Sequence, residues 1–361
     1  MAQVEARIVL TGGPCAGKTT ALAKIEQYFT DLGYKVLIVG ESATELIKSG
    51  IIPDRKNLQM YDFQNIILKY QLRKEQTYEE AARYMSEDTK CIILYDRGCM
   101  DNKAYISSEE FIKLLNDNKL SQLNLIDRYD MVIHLVSAAI GAEEFYTLSN
   151  NEARSESIEE ASLLDRKTLA AWNGHTNLKV IGNESTFEDK LSKVLMEIQN
   201  QLGNTYREQR KYLIDGNYLS KSFLDNCIKV DIEQIYLGSD SYERRLRKRS
   251  LDGDVSYYYT VQKQNLKGSR TVLKDKKISE KEYYDLLSEY EDYRIINKTR
   301  YTFIDNNSTY KIDIMEDGVV ILESDSDIIP PYIKVEQDIT EDSAYYNINL
   351  AKNKNTKVKQ L

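Results

Sequence analysis

The stretch RIVLTGGPCAGKTT, residues 7 to 20, decides the fold. Its first half is an apolar run suited to a buried strand. Its second half satisfies G-x-x-x-x-G-K-[ST] through Gly12, Gly17, Lys18 and Thr19. A strand, a glycine turn and a helix in that order form a cradle for phosphate. Backbone N–H groups curl around the oxygens, Lys18 reaches the terminal phosphates, and the Thr19 hydroxyl can ligate magnesium. Gly13 and Thr20 complete the cradle, and the following helix points its positive end at the same anion.

Outward from that stretch, apolar runs recur as YKVLIVGES, CIILYDRG, YDMVIHLVS and LKVIGN. Helical patterns such as MYDFQNIILKYQLRKEQTYEEAARYM separate them. Strands alternating with helices predict a parallel sheet covered on both faces. Asp96 closes CIILYDRG at the carboxyl end of its strand, where a magnesium-orienting carboxylate belongs. Arg97 beside it is placed to touch phosphate or substrate. Glu41 ends the second strand on the same edge, either to accept a proton from a substrate hydroxyl or to start a helix. Arg154, in SNNEARSESIEEA, reads either as a lid arginine over the phosphates or as part of a solvated helix.

A chain of 361 residues accommodates two domains, each with its own core. Gly203 ends a helical pattern, giving a nucleotide domain over 1–203, a strand-rich domain over 204–352 and a flexible basic tail over 353–361. The net charge of −8 argues against broad affinity for nucleic acid or membranes, leaving nucleic acid only a triphosphate end as a foothold. Cys15 lies in the phosphate loop and Cys91 in an apolar strand, which disfavours a disulfide framework and suits a reducing compartment. With only His134 and His175, a histidine zinc site is not expected. The longest apolar stretch, MVIHLVSAAIGA, is too short to span a bilayer, so the expected location is cytoplasmic. Oligomeric state is not fixed by the sequence.

The second half carries its charge on strands. In SYERRLRKRSLDG the alternation of a strand sets Glu243, Arg245, Arg247 and Arg249 on one face. Such a row is either a solvated edge or a site for an anion. YYYTVQKQ adds Lys263, INKTRYTF adds Lys298 and Arg300, and YREQRKYLI adds Arg207, Gln209 and Lys211. ILESDSD offers Glu323 and Asp325, with Asp313 nearby. Several charged strand faces together predict a mostly antiparallel β-barrel with a charged interior. The 27 tyrosines against 7 phenylalanines fit a half-wet interior.

TGGPCAGKTT, YDRGCMDNKAY, NNEARSESIEEA and WNGHTNLKVI together resemble P-loop ATPase and kinase-like domains related to nicotinamide riboside and deoxynucleoside kinases, over residues 5 to 200. That resemblance implies ATP with Mg2+, and transfer of the γ-phosphoryl group to a small acceptor or to water. ERRLRKR, YYYTVQK, INKTRYTF, YKIDI and DITEDSAYYNINLA resemble the CYTH, or triphosphate tunnel, family over residues 205 to 352. That resemblance implies a triphosphate gripped by Lys211, Arg245, Arg247, Arg249, Lys263, Lys298 and Arg300. It also implies Mg2+ or Mn2+ held by carboxylates such as Glu323 and Asp325. One departure stands out: where the family reads E-x-E-x-K, this chain has Arg207, Glu208, Gln209, Arg210 and Lys211. Two metal-binding glutamates are replaced by a cation and an amide, which hard divalent ions bind poorly. The expected function is Mg-ATP-dependent phosphoryl transfer, or nucleotide hydrolysis, coupled to a triphosphate-binding domain. The rival readings are an ATP-hydrolysing sensor with a non-catalytic tunnel and a tunnel-based triphosphatase or cyclase.

Overall fold

The computed structural model describes residues 3–54, 56–85, 87–146, 157–203, 209–238, 242–264 and 270–355. Two compact units emerge, Met1–Leu202 and Gly203–Leu361.

The amino-terminal unit is a five-stranded parallel sheet with flanking helices. Its strands are β1 (Gln3–Thr11), β2 (Lys35–Val39), β3 (Lys90–Asp96), β4 (Met131–Leu135) and β5 (Leu178–Ile181), in the order β2-β3-β1-β4-β5. β4 is buried along its whole length and β3 at all but its ends, as expected when helices cover both faces. The helices are α1 (Lys18–Asp31), α2 (Ser42–Lys48), α3 (Met60–Arg83), α4 (Ser108–Asp117), α5 (Gln122–Ile126), α6 (Ile158–Ala171) and α7 (Phe187–Leu202). α1 buries Ala21, Leu22, Ile25 and Phe29, one helical stripe, against Ile8, Leu10, Ile133 and the Leu191–Val194–Ile198 stripe of α7. Each such aliphatic or aromatic side chain contributes roughly 1.5–3 kcal/mol on burial.

The carboxy-terminal unit is a mostly antiparallel sheet. It comprises β6 (Arg210–Ile214), β7 (Ile228–Leu237), β8 (Tyr242–Leu251), β9 (Asp254–Gln264), β10 (Arg270–Ile278), β11 (Asp292–Asp305), β12 (Ser308–Met315), β13 (Val320–Ser324), β14 (Val335–Asp338) and β15 (Lys352–Asn355). Pairing follows β10-β9-β8-β7-β11-β12-β13-β6-β14, with β15 on β11. Short helices α8 (Lys221–Asp225) and α10 (Asn347–Leu350) and the longer α9 (Glu280–Ser288) complete it. One sheet face is apolar. There Leu246, Ile235 and Tyr257 meet Tyr283 of α9, and Tyr212, Ile312 and Leu322 pack with Phe223 of α8. The other face is charged, and Ile339, Ile348 and Leu350 pack against its apolar members Tyr236, Ile296 and Ile321. Residues 352–355 pair with β11, so the stretch expected to be a flexible tail begins as a strand, and 356–361 lie outside the described residues. No helix among the described residues is long and apolar enough to cross a membrane.

Candidate functional site

The carboxyl edge of the parallel sheet gathers the predicted nucleotide residues. After β1 the chain turns at Gly12, whose φ of +142° and closeness to the Leu135 carbonyl leave no room for a Cβ. Lys18, the first residue of α1, donates from Nζ to the Gly12 and Gly13 carbonyls, each at 3.0 Å. Burial, reinforced by the Arg97 charge, pulls the Lys18 ammonium down to about 8. An anion placed there would restore the charged form. Thr19 and Thr20 follow on the first turn, exposed.

β3 delivers Asp96 and Arg97 to the same edge. Burial lifts the Asp96 carboxyl above its ordinary value, the Glu41 charge adds to this, and its Oδ1 is buried without a hydrogen-bond partner. Arg97 adopts a left-handed φ of +69°, held by its N–H donating to the Leu10 carbonyl at 3.0 Å. A non-glycine residue pays about 1–2 kcal/mol for that conformation, which here turns the guanidinium along the edge. Arg97 Nε donates to Glu41 Oε1 at 2.6 Å and Thr44 Oγ1 donates to Glu41 Oε2 at 2.6 Å. Burial opposes ionisation of Glu41, yet Arg97 and Lys18 bring it down to about 2. Both oxygens of Glu41, the residue expected to accept a substrate proton, are thus engaged, by Arg97 and by Thr44. Its side chain does not cap α2, although its backbone occupies the cap position.

These groups open onto one cavity of about 1420 Å3. Lys18, Thr19, Asp96 and Arg97 line one part, and Met60, Phe63 and Ile67 of α3 line another. Four buried polar atoms on lining residues have no partner: Ser42 Oγ, Asp96 Oδ1, Arg97 Nη1 and Asn102 Oδ1. Unpaired buried atoms cost roughly 1–3 kcal/mol each, so they mark where a polar ligand belongs. Hard oxygens from Asp96 and Thr19 fit a magnesium ion.

Sequence reasoning missed the floor of the loop. Asp165 of α6, buried, accepts from Gly13 N at 2.7 Å and Ser137 N at 3.0 Å through Oδ1, and its Oδ2 lies 3.2 Å from His134 Nε2. Burial opposes its ionisation, but the His134 and backbone hydrogen bonds hold it below the ordinary carboxylate value. Lys190 Nζ donates to Val136 O and Asn183 Oδ1, both at 2.7 Å, fixing the strand end from the other side. Asp101 likewise gathers Thr11 Oγ1 at 2.6 Å, Trp172 Nε1 at 2.9 Å and Gly98 N at 2.9 Å. A signal existed: Ala161, Asp165, Thr168 and Leu169 share the buried stripe of α6, and an acid on such a stripe must have partners. Arg154 lies outside the described residues, as does Arg207.

In the carboxy-terminal unit, register places Arg245, Arg247 and Arg249 opposite Thr260, Tyr258 and Ser256 on the charged face. Lys298, Arg300, Asp313, Glu323 and Lys211 share that face through successive pairings. Lys263 does not. It pairs with Tyr242, in phase with Leu246 on the apolar face, and is exposed, which corrects its expected place among the cations. Arg300 grips Asp313 through Nε and Nη2 at 2.6 and 2.7 Å and reaches Glu323 Oε2 at 2.7 Å. Lys298 Nζ lies 2.5 Å from Asp313 Oδ2, and Lys211 Nζ 3.2 Å from Glu323 Oε1. Burial opposes ionisation of Glu323, but Arg300 and Lys211 hold it well below the usual range. Asp325 accepts from Gln209 Nε2 at 2.9 Å. Carboxylates so occupied by cations and an amide do not fit the divalent ion expected at Glu323 and Asp325. Among the described residues, no group of three or more His, Cys, Asp or Glu is placed to hold a metal.

A family profile described as an AAA domain matches residues 7–190. No curated protein matches the chain. Among solved structures, one described as the inorganic triphosphatase NE1496 is 23% identical, covering 40% of this chain and 92% of that one at a TM-score of 0.28. Another, described as the hypothetical protein NE1496, is 24% identical over 40% and 95%, also at 0.28. The PH1819 protein from Pyrococcus horikoshii OT3 is 18% identical over 35% and 79%, at 0.26.

Proposed function

The chain belongs to the AAA domain family, and from that premise we propose that its amino-terminal unit binds Mg-ATP and transfers the terminal phosphoryl group to a small nucleoside-like or phosphorylated acceptor. The carboxy-terminal unit, in this reading, binds a triphosphate-bearing ligand. The observation that carries the first part is the reach of the cavity. It extends from the phosphate loop past Asp96 and Arg97 to the apolar wall of Met60, Phe63 and Ile67, where hydrolysis by water alone requires no such second lobe.

Within it, the backbone of the loop from Gly12 to Gly17, with Thr20, cradles the phosphates, the Gly13 amide being anchored beneath on Asp165, and Lys18 neutralises the terminal ones. Thr19 and Asp96 would hold magnesium, which screens the charge that develops between the β- and γ-phosphates. Arg97, fixed through Nε by Glu41, keeps Nη1 for an anionic oxygen in the cavity. Phosphoryl transfer proceeds through a loose transition state, so positioning and charge count for more than early proton removal. Glu41 then acts as the residue that positions Arg97.

The test is turnover of Mg-ATP with a panel of nucleosides and nucleotides. ADP formed only when an acceptor is present, and lost in Lys18→Ala, supports the proposal. Phosphate release that ignores every acceptor favours a hydrolysing sensor. Cleavage of tripolyphosphate that survives Lys18→Ala moves the chemistry to the carboxy-terminal unit.

A further inference from the structure

Arg97 faces the cavity with a left-handed backbone and a guanidinium atom, Nη1, that is buried without a partner. A non-glycine residue keeps that conformation only where its surroundings over-determine it. Gln71 of α3 donates from Nε2 to the Arg97 carbonyl at 3.0 Å, and the same nitrogen lies 3.3 Å from Glu75 Oε1. Two acceptors on one nitrogen settle which way the amide faces. Two residues further along, the Cys99 N–H donates to the Tyr129 hydroxyl at 2.9 Å, and that hydroxyl donates to Glu75 Oε1 at 2.7 Å. The segment from Arg97 to Cys99 is therefore pinned at both ends, by Gln71 and by Tyr129, and both pins meet at Glu75.

Glu75 gathers further donors. The Cys99 thiol donates to Oε1 at 3.4 Å, and Arg128 brings Nε and Nη2 to Oε2 at 2.9 and 2.7 Å. Burial pushes the Cys99 thiol and the Tyr129 hydroxyl well above their ordinary values, so both keep their protons and face the carboxylate as donors. Glu75 is 1% exposed and Gln71 5%. Burying an acid and an amide is costly unless their polar atoms are paired, and here the pairing converges on the turn that follows Asp96. α3 ties this cluster to the cavity, since Phe63, Ile67, Gln71 and Glu75 fall on one buried stripe at helical spacing. Phe63 and Ile67 wall the cavity, Gln71 reaches it beside Arg97, and Glu75 stands one turn behind.

We propose that Gln71, oriented by Glu75, is a positioning residue for phosphoryl transfer, holding the Arg97 backbone so that Nη1 faces the oxygen on which charge develops. This rests on the reading that Arg97 meets an anionic oxygen in the cavity, and adds what sets its direction. Glu41 fixes the guanidinium through Nε at 2.6 Å, while Gln71 fixes the peptide from which that side chain springs. A donor displaced by about 1 Å can cost about 10²-fold in rate, and the loss falls on the transition state rather than on the bound nucleotide.

The experiment is calorimetric titration of the full chain with Mg-ADP, alone and with aluminium fluoride, which mimics the phosphoryl group in transfer, alongside turnover of Mg-ATP. Gln71→Leu removes the donor at similar volume. It should bind Mg-ADP within about twofold of the parent but bind the fluoride complex about ten- to a hundredfold more weakly, and lose a similar factor in kcat with little change in the KM for ATP. In turnover, Gln71→Glu should lose as much at about pH 8, where a carboxylate faces the Arg97 carbonyl and Glu75. It should recover towards about pH 6, where a protonated acid donates again, and Gln71→Leu should show no such recovery. In an Arg97→Met background Gln71→Leu should cost nothing further, because the amide acts through the guanidinium. Unchanged affinity of Gln71→Leu for the fluoride complex overturns the proposal. Equal weakening with and without fluoride, the mark of a purely structural role, also overturns it, and so does full additivity with Arg97→Met. Phosphate release that ignores every acceptor, with the fluoride pattern intact, overturns acceptor phosphorylation and supports the proposal. A parent that binds Mg-ADP no tighter with aluminium fluoride than without overturns both.

Discussion

Replacing Asp165 by alanine should damage the phosphate loop more than any surface change of similar size. The carboxylate lies beneath the loop and satisfies two buried backbone donors, Gly13 N and Ser137 N, as well as facing His134. Removing it strands both N–H groups, each worth about 1–3 kcal/mol, and breaks a buried charged contact, so a loss of about 3–5 kcal/mol is expected. Asp165→Asn retains an acceptor at the Oδ1 position for both amides and should cost about 1 kcal/mol. Because the folded-state carboxyl is held below its ordinary 3.8, its contribution is present above that value and lost as pH falls through the folded one. The difference between parent and Asp165→Ala should therefore shrink below pH about 4. Urea denaturation followed by circular dichroism, repeated from neutral to acid pH, measures all three quantities. An Asp165→Ala protein within about 0.5 kcal/mol of the parent would refute the reasoning. So would an asparagine variant as damaged as the alanine one, since the amides would then not be what the carboxylate supports. Nucleotide affinity offers a second reading: with the Gly13 amide released from its anchor, Asp165→Ala should bind about tenfold more weakly.

Other outcomes follow from the same geometry. Lys18 sits near 8 in the free protein and is needed charged by phosphate, so nucleotide affinity should be level below pH 8 and fall above it by up to tenfold per unit; Lys18→Arg should flatten the profile in titrations across pH 6–10. Glu41→Gln should reduce turnover about tenfold through a looser Arg97, without removing any limb of the pH–rate profile, whereas a true general base would cost about 10²–10⁴. Gly98→Ala sets a Cβ 2.5 Å from Trp172 Cζ2 and 3.0 Å from Val9 Cγ2, and thermal melts should show a loss of about 1–3 kcal/mol. Asp313→Ala leaves buried Lys298 unpaired and should cost the carboxy-terminal unit about 3–5 kcal/mol, with Asp313→Asn intermediate in the same denaturation assay.

The parallel sheet was readable from residues because its strands are short apolar runs, all but β4 ending at a glycine or an acid. CIILYDRG became β3 with Asp96 at its tip, and the helix after the glycine loop begins at Lys18 as its sequence requires. Alternation along β8 likewise gave the face shared by Arg245, Arg247 and Arg249. Lys263 shows where such reading stops. Parity along one strand says which residues share a face, but only the inter-strand register says which face, and Lys263 pairs with Tyr242 rather than in phase with the arginines. Asp165 and Glu75 were hidden for another reason. Each looks like a solvent-facing helix acid until the stripe it occupies is seen to be buried; Glu75 there takes Arg128 at 2.7 Å and Tyr129 at 2.7 Å. Glu41 was placed on the correct edge, but its pairing to Arg97 depends on a left-handed backbone at position 97 that residue identity does not announce.

Trp172 is the single tryptophan of the chain, fully buried, with its indole N–H on Asp101 and its ring 5.5 Å from that of Tyr129. Its edge lies over Gly98, immediately behind Asp96 and Arg97. The molecule thus carries one indole chromophore, housed in the half that holds the glycine loop, while the other half has tyrosines but no tryptophan. Light emitted from it reports on the wall behind the cavity alone, so events at that wall can be timed without attaching any dye.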